Sequence, residues 1–443
     1  MSAKQFERFT PDKVSDFRTP TQVDRDRLLY ARSFARLAEI TQVIPADNGY
    51  VFHNRLTHSL KVAQLSRRIA EKLLTQSDCK EYGGLDVDAA EAAGLAHDLG
   101  HPPFGHIAEE EINDRLIEYG LPEGFEGNAQ SFRLVTCLSV SDVNPVEERT
   151  AVGLGLNLTR ATLNGILKYP WLHNEGPKKN KWGAYKSESP QFNFARKSFE
   201  YGMHTQSLEA AIMDLADDIT YASHDLIDFY CAGKIPLEKL SAGSKELATF
   251  FDEVFTRNKD KEEFKNRAKM EDAFTRILDI FPKSTRFVGT TQQDISLWQA
   301  LTILISTYVN DIELKKPEKD KPLIGFANPD ILSEIAMLKQ LTWHYVILNT
   351  ELATVQFGQR RMISTLFDIF FDAAEKGVSK NFHWKLFPRR FEEPLAGSTN
   401  SMERARITAD YVSSMTEKEV EDLFSVLKER KQSVAKVGSS GAT

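Results

Sequence analysis

The sequence predicts an all-α protein, and three observations point there. Apolar residues recur at helical spacing in one segment after another from about residue 21 to 430. Turn residues such as Pro45, Pro102, Pro103 and Pro170 fall between those segments rather than inside them. Strand-like patterning is confined to a short hairpin-like stretch near residues 43 to 53. At 443 residues the chain has room for a large core, and length alone suggests two or three domains. The net charge of -7 argues against broad, non-specific nucleic-acid binding but leaves room for a local basic pocket. Cys79, Cys137 and Cys231 are widely spaced and fit a reducing compartment rather than a disulfide or metal pattern. The N-terminus is polar and no apolar run reaches membrane-spanning length, so a cytoplasmic enzyme with no membrane partner is expected.

Residues 1–20 contain Pro11 and Pro20 and read as a flexible arm. From residue 21, Leu28, Leu29, Phe34, Leu37 and Ile40 mark a helical run that ends near Pro45. Residues 53–74 form a strong amphipathic helix carrying Leu60, Val62, Leu65, Ile69 and Leu73, with His58 in its first turn and Arg55 one turn earlier. Asp86 or Asp88 caps the next helix, which runs apolar into His97 and Asp98. Pro102, Pro103 and Gly105 then force a bend before a further helix. Residues 121–136 read as a Gly-containing turn and a helix, and 157–171 as a helix ended by Pro170. The Gly/Pro/Lys-rich segment 173–198 reads as a long loop, whose lysines 178, 179, 181 and 186 are either simply solvated or face an anionic ligand. In the helix 207–230, Asp217, Tyr221 and Asp225 share one face, because each step of four advances only roughly 40° around the axis. These helices make up a catalytic core over 21–235. Core helices near 297–312 and 334–348, a charged loop at 315–322, a helix near 360–374 and another over 405–428 form a C-terminal region, 236–430, packed on it. A disordered tail, 431–443, follows.

Residues 94–111 concentrate His97, His101 and His106 beside Asp98, Glu109, Glu110 and Glu111. Imidazole and carboxylate together suit a borderline or hard divalent cation. His58 at a helix start, His97–Asp98 at a helix end and Asp217 on a third helix supply two nitrogen and two oxygen donors. Such a set leaves positions open for water and substrate, as a hydrolytic metal site requires. No cysteine lies near these residues, which disfavours a structural zinc. His106 and Glu109 are spaced i, i+3, so a carboxylate can orient an imidazole for general acid–base work near neutral pH. The remaining histidines read as structural.

The order His58, His97–Asp98, Asp217 resembles the signature of HD-domain metal-dependent phosphohydrolases. Longer strings narrow the likeness: RDRLLYARSFARLAEITQV, NRLTHSLKVAQLSR, AHDLGHPPFGHIAEE, LNLTRATLNGILKYP, KWGAYKSE, DLADDITYASHDLID and RITADYVSSMT. Together, over roughly residues 20 to 420, they resemble the bacterial deoxyguanosinetriphosphate triphosphohydrolase-like family. The resemblance implies an HD-domain helical fold with added C-terminal helices. It also implies hydrolysis of dGTP or several dNTPs to deoxynucleoside and tripolyphosphate, by water attack at the α-phosphorus. By the same resemblance His58, His97, Asp98 and Asp217 match metal ligands, and His106 and Glu109 the catalytic pair, with His101 close to the phosphate. Tyr221 matches a tyrosine packed on the deoxyribose. Asp225 and Gln42 match contacts to its 3′-OH, and Arg55, Lys168, Tyr169 and Lys181 match phosphate contacts. A tyrosine packed against C2′ would exclude ribonucleotides by clash. Some relatives place a histidine in the turn where this chain has Gly127–Asn128. In some relatives a neighbouring subunit contributes an arginine, for which Arg404 and Arg406 are the candidates. Mn2+ or Mg2+ is the expected ion, with Fe, Co, Ni and Zn also compatible with the donors. A homo-tetramer or hexamer, a dNTP effector and single-stranded DNA are further partners the resemblance implies. Two alternatives stand beside it: another HD-type nucleotide phosphohydrolase or phosphodiesterase, and a non-catalytic dNTP sensor.

Overall fold

Seen in a computed structural model, the chain is described over residues 3–10, 17–43, 54–76, 79–140, 155–197, 199, 202–241, 243–281 and 286–438, with backbone alone beyond 427. Among these residues the architecture is helical, with one two-stranded antiparallel sheet. The N-terminal half contains α1 (Pro20–Tyr30), α2 (Arg32–Arg36), α3 (Arg55–Gln76), α4 (Val87–Ala96), α5 (His106–Glu118), α6 (Gly127–Arg133), α7 (Arg160–Ile166), α8 (Ser189–Arg196), α9 (Leu208–Thr220) and α10 (Leu226–Cys231). The C-terminal half contains α11 (Lys245–Arg257), α12 (Arg267–Leu278), α13 (Thr291–Asp311), α14 (Asp330–Thr342), α15 (Thr350–Gly377), α16 (Arg389–Gly397), α17 (Ser401–Ser413) and α18 (Glu417–Gly438). The sheet pairs β1 (Ile312–Leu314) with β2 (Ile324–Phe326), in register Glu313 opposite Gly325. No helix among the described residues is long and apolar enough to cross a membrane.

Three helices hold the site apart from its flanking loops. The apolar stripe of α3 (Val62, Leu65, Ile69, Leu73) packs with Ile212, Ala216 and Ile219 of α9 in one core. The alanine-rich α4 lies almost in contact with α3. A Cβ on Gly94 would stand 2.6 Å from the Ala63 Cα, so only glycine permits this approach. Asp86 caps α4 by accepting from the Ala89 amide, which resolves the choice between Asp86 and Asp88. The back of α5 (Ala108, Ile112, Leu116) packs not on these helices but on Ile363, Leu366, Phe367 and Phe370 of α15, in a second core that includes Ala405 and Ala409 of α17.

Several expectations are corrected. Residues 3–10, expected to be a flexible arm, are docked: Gln5 is buried, Arg8 pairs with Asp24, and Arg160 bonds Glu7 at 2.8 Å. The segment 173–198 is not loop throughout. Pro190 opens α8, where Phe192 and Ala195 turn inward. The helix expected to reach Pro170 ends at Ile166. The helix expected over 405–428 is two, α17 and α18, broken at 414–416. The last helix runs on past residue 430, where a disordered tail was expected. The expected hairpin falls mostly on residues 44–53, outside the described residues, with a single Thr41–Asn54 bridge at its base. The observed strands instead flank the charged loop 315–322.

Candidate active site

Three of the four donors predicted from the sequence, His58, His97 and Asp217, come together, with Asp98 beside them. His58, on the first turn of α3, places Nε2 3.0 Å from Asp217 Oδ1 of α9. His97 follows the last residue of α4, its Nδ1 2.7 Å from the Gly94 carbonyl, which fixes the ring so that Nε2 faces the cluster. That Nε2 is buried without a hydrogen-bond partner, 3.8 Å from Asp217 Oδ1 and 3.6 Å from Asp98 Oδ1. Ligand atoms of His58, His97 and Asp217 all lie within 4.8 Å of one another. Asp98 is divided: Oδ2 accepts from Arg55 at 2.6 Å, and Oδ1 lies 3.1 Å from His101 Nδ1. An orphaned buried imidazole nitrogen facing carboxylates fits a divalent cation held by His58, His97 and Asp217, with Asp98 beside them but outside that group of three.

Electrostatics agree with that reading. Burial opposes the charged form of His58, but Asp225 and Asp217 outweigh it and push the imidazole up to about 10. The pocket therefore selects for positive charge. Burial likewise opposes ionised Asp98 and Asp217, yet Arg55 and Lys168 respectively hold both well below the usual carboxylate range. Burial and the neighbouring Arg55 lower His101 to about 4, so it is neutral near pH 7.

The second half of the site sits on α5. His106 Nδ1 and Glu109 Oε2 are 2.9 Å apart, with Glu109 nearly buried and the His106 side chain 71% exposed. Against burial, the hydrogen bond to His106 holds Glu109 below its ordinary value. His101 links the halves, one ring nitrogen at Asp98 and its centroid 5.3 Å from that of His106. A Cβ on Gly127 would stand 3.3 Å from the His101 ring, so the turn without a histidine leaves room for His101 instead. The Gly127 amide also donates to Glu109 Oε1 at 3.2 Å.

The expected substrate contacts are placed unevenly. Lys168 reaches Asp217 Oδ2 at 2.8 Å and Asp214 at 2.9 Å. Lys181 reaches Glu126 at 2.9 Å and Glu109 at 3.3 Å. Tyr169 lies beside Trp171, with Lys178 over its ring. Tyr221 opens a π-turn, Tyr221–Asp225, between α9 and α10, and burial raises its phenol. The stretch 207–230 is thus not one uniform α-helix. Asp225, expected at the sugar 3′-OH, is fully buried and lies 3.5 Å from His58 Nδ1. Arg55 is only 3% exposed and serves as the counter-charge of Asp98. Gln42 follows the Thr41–Asn54 bridge, its Oε1 buried without a partner among the described residues. Arg404 and Arg406 are both engaged within their own chain, Arg404 by Glu375 and Arg406 stacked on Tyr185 with a bond to the Gly124 carbonyl. Sequence reasoning missed Glu126 and Asp214, the partners of Lys181 and Lys168. Glu126 carried one legible signal, its place before the helix it caps at Asn128 and Ala129.

Comparison with known families matches residues 55–222 to the HD domain and residues 326–426 to the phosphohydrolase-associated domain. Among curated proteins, one from Caulobacter vibrioides is 32% identical over 427 residues, covering 96% of this chain and 92% of that protein. One from Streptomyces coelicolor is 32% identical and covers 94% of each. One from Wolinella succinogenes is 31% identical, covering 94% of this chain and 97% of that protein. All three are named deoxyguanosinetriphosphate triphosphohydrolase-like protein.

Proposed function

Because the chain belongs to the deoxyguanosinetriphosphate triphosphohydrolase-like family of HD-domain proteins, we propose that it hydrolyses dGTP or several dNTPs to deoxynucleoside and inorganic tripolyphosphate. The observation that carries this reading is the meeting of the His58–His97–Asp217 cluster with the His106–Glu109 pair through His101.

Water adds to the α-phosphorus, the bond from that phosphorus to the 5′ oxygen breaks, and a proton must reach the departing oxygen. His58, His97, Asp98 and Asp217 hold the divalent ion, Mn2+ or Mg2+ before Fe, Co, Ni or Zn. When bound, it supplies Lewis-acid polarisation of the phosphoryl group. His106, oriented through Nδ1 by Glu109, presents its exposed face to move a proton at the water or the 5′ oxygen. Lys168 stands beside Asp217 and Lys181 beside Glu109, so each half of the site has an ammonium for a phosphate oxygen. Tyr221 packs on the deoxyribose and excludes a 2′-hydroxyl. A homo-tetramer or hexamer, a dNTP effector, single-stranded DNA and a cytoplasmic setting accompany this reading as expectations of the family resemblance.

Incubating each dNTP with metal-loaded protein and separating phosphate products by chain length tests the proposal. Tripolyphosphate is expected. Pyrophosphate or orthophosphate would assign another phosphohydrolase chemistry, and binding without turnover a sensor.

A further inference from the structure

The loop carrying the chemistry is held from outside the HD segment. Between α4 and α5 the chain turns through Phe104 and Gly105, both in the left-handed region at φ 67° and 62°. A non-glycine residue keeps such a conformation only where its surroundings impose it. A carboxylate from the far C-terminal region meets that backbone here. Glu417, the first residue of α18, accepts from the Phe104 amide at 3.0 Å. It also accepts from the Thr41 amide at 2.8 Å and the Thr41 hydroxyl at 2.7 Å. Glu417 is not needed to start its own helix. Thr416 and Glu419 form that cap between themselves, at 2.8 and 3.2 Å.

A second charged group ties the same places together. The Arg36 guanidinium donates to the carbonyls of Leu99 and His101 on the catalytic loop, at 3.0 and 2.7 Å. It donates as well to Ser413 and Met415 in the turn before α18, at 3.1 and 3.0 Å. The loop is thus fastened through its carbonyls by Arg36 and through its Phe104 amide by Glu417. The chain just before Gln42 is fastened by Glu417 too.

Resting on the function proposed above, we propose that Glu417 is a positioning residue. It fixes the loop that aims His101 and His106, together with the segment leading into Gln42. It hydrogen-bonds neither the donor cluster nor the His106–Glu109 pair and acts through the Phe104 and Thr41 amides and the Thr41 hydroxyl that it holds.

The test uses the full chain loaded with Mn2+, as Glu417→Ala and Glu417→Gln, each also in a His106→Ala background. Amide hydrogen exchange should rise in segments 38–43 and 99–106 of the alanine variant, while manganese content stays at the wild-type level. Its kcat on a dNTP should fall about tenfold to hundredfold, the scale of a misplacement of about 1 Å. The glutamine variant keeps an acceptor oxygen and should recover most of that loss. With His106 already removed, Glu417→Ala should cost severalfold less than in the wild-type background, because one of the groups it aims is gone while His101 and Gln42 remain. Unchanged exchange in both segments, or the same fold-loss in both backgrounds, overturns the proposal. If the wild-type chain turns over no dNTP, the functional reading fails, and the exchange measurement alone decides whether Glu417 holds the loop.

Discussion

His106 is exposed while the Glu109 that orients it is nearly buried. That asymmetry suits a proton carrier: one end meets the substrate, and the other is fixed by a carboxylate that stays charged. His106→Ala or Glu109→Ala should therefore lower turnover by about two to four orders of magnitude with metal still bound. Asp217→Ala, which removes the carboxylate shared by His58 and His97, should instead lose the metal. Elemental analysis beside turnover separates the two classes, and a His106 variant at wild-type rate would sink its assignment. A buried acid outside the site sets a pH dependence. Glu209 at the start of α9 accepts from the Asp86 amide at 3.1 Å, and burial pushes it from 4.5 up to about 7. Its folded value is the raised one. Its contribution to stability is therefore intact below about 4.5 and is lost as pH rises through about 7. Glu209→Gln keeps the acceptor without the charge and should gain about 3 kcal/mol on the wild type by pH 8. Thermal unfolding of both from pH 4.5 to 8 checks this, and parallel curves would contradict it.

Elements carry these residues to one another, and the α3–α4 contact is the tightest of them. Gly94→Ala would set a methyl group against the Ala63 backbone and push apart the helices bearing His58 and His97. Overpacking of this kind costs about 1–3 kcal/mol. The variant should melt lower and bind metal more weakly, measured by calorimetry and metal titration. Full affinity would mean that helix spacing does not set the donor geometry. At this scale the sequence was legible wherever a long apolar stripe existed, as in α3 and α9. It was less so in α8, whose eight residues turn only Phe192 and Ala195 inward, too few to show a period beside Pro190 and the neighbouring lysines. The π-turn at Tyr221–Asp225 was hidden for a related reason: one extra residue per turn leaves the apolar spacing almost unchanged, yet it carries Asp225 into the protein behind His58.

Across the whole molecule, the HD segment supplies the donors and the C-terminal region supplies the support. The apolar back of α5 rests on α15 in the core that also contains α17, and Glu417 and Arg36 fasten the loop before it. The donor set was readable because histidine–aspartate chemistry leaves a mark in residue type and spacing. The support was not, because a glutamate in the first turn of a surface helix looks like an ordinary partner of the helix dipole. Likewise Arg55 read as a cation for phosphate, and only the fold placed it on Asp98. The most direct measurement is dGTP hydrolysis in 18O-labelled water by the metal-loaded protein, followed by mass analysis of both products. Attack at the α-phosphorus places one 18O in tripolyphosphate and none in the deoxynucleoside. Label in the deoxynucleoside, or a phosphate product of any other length, would contradict the reaction assigned to this site.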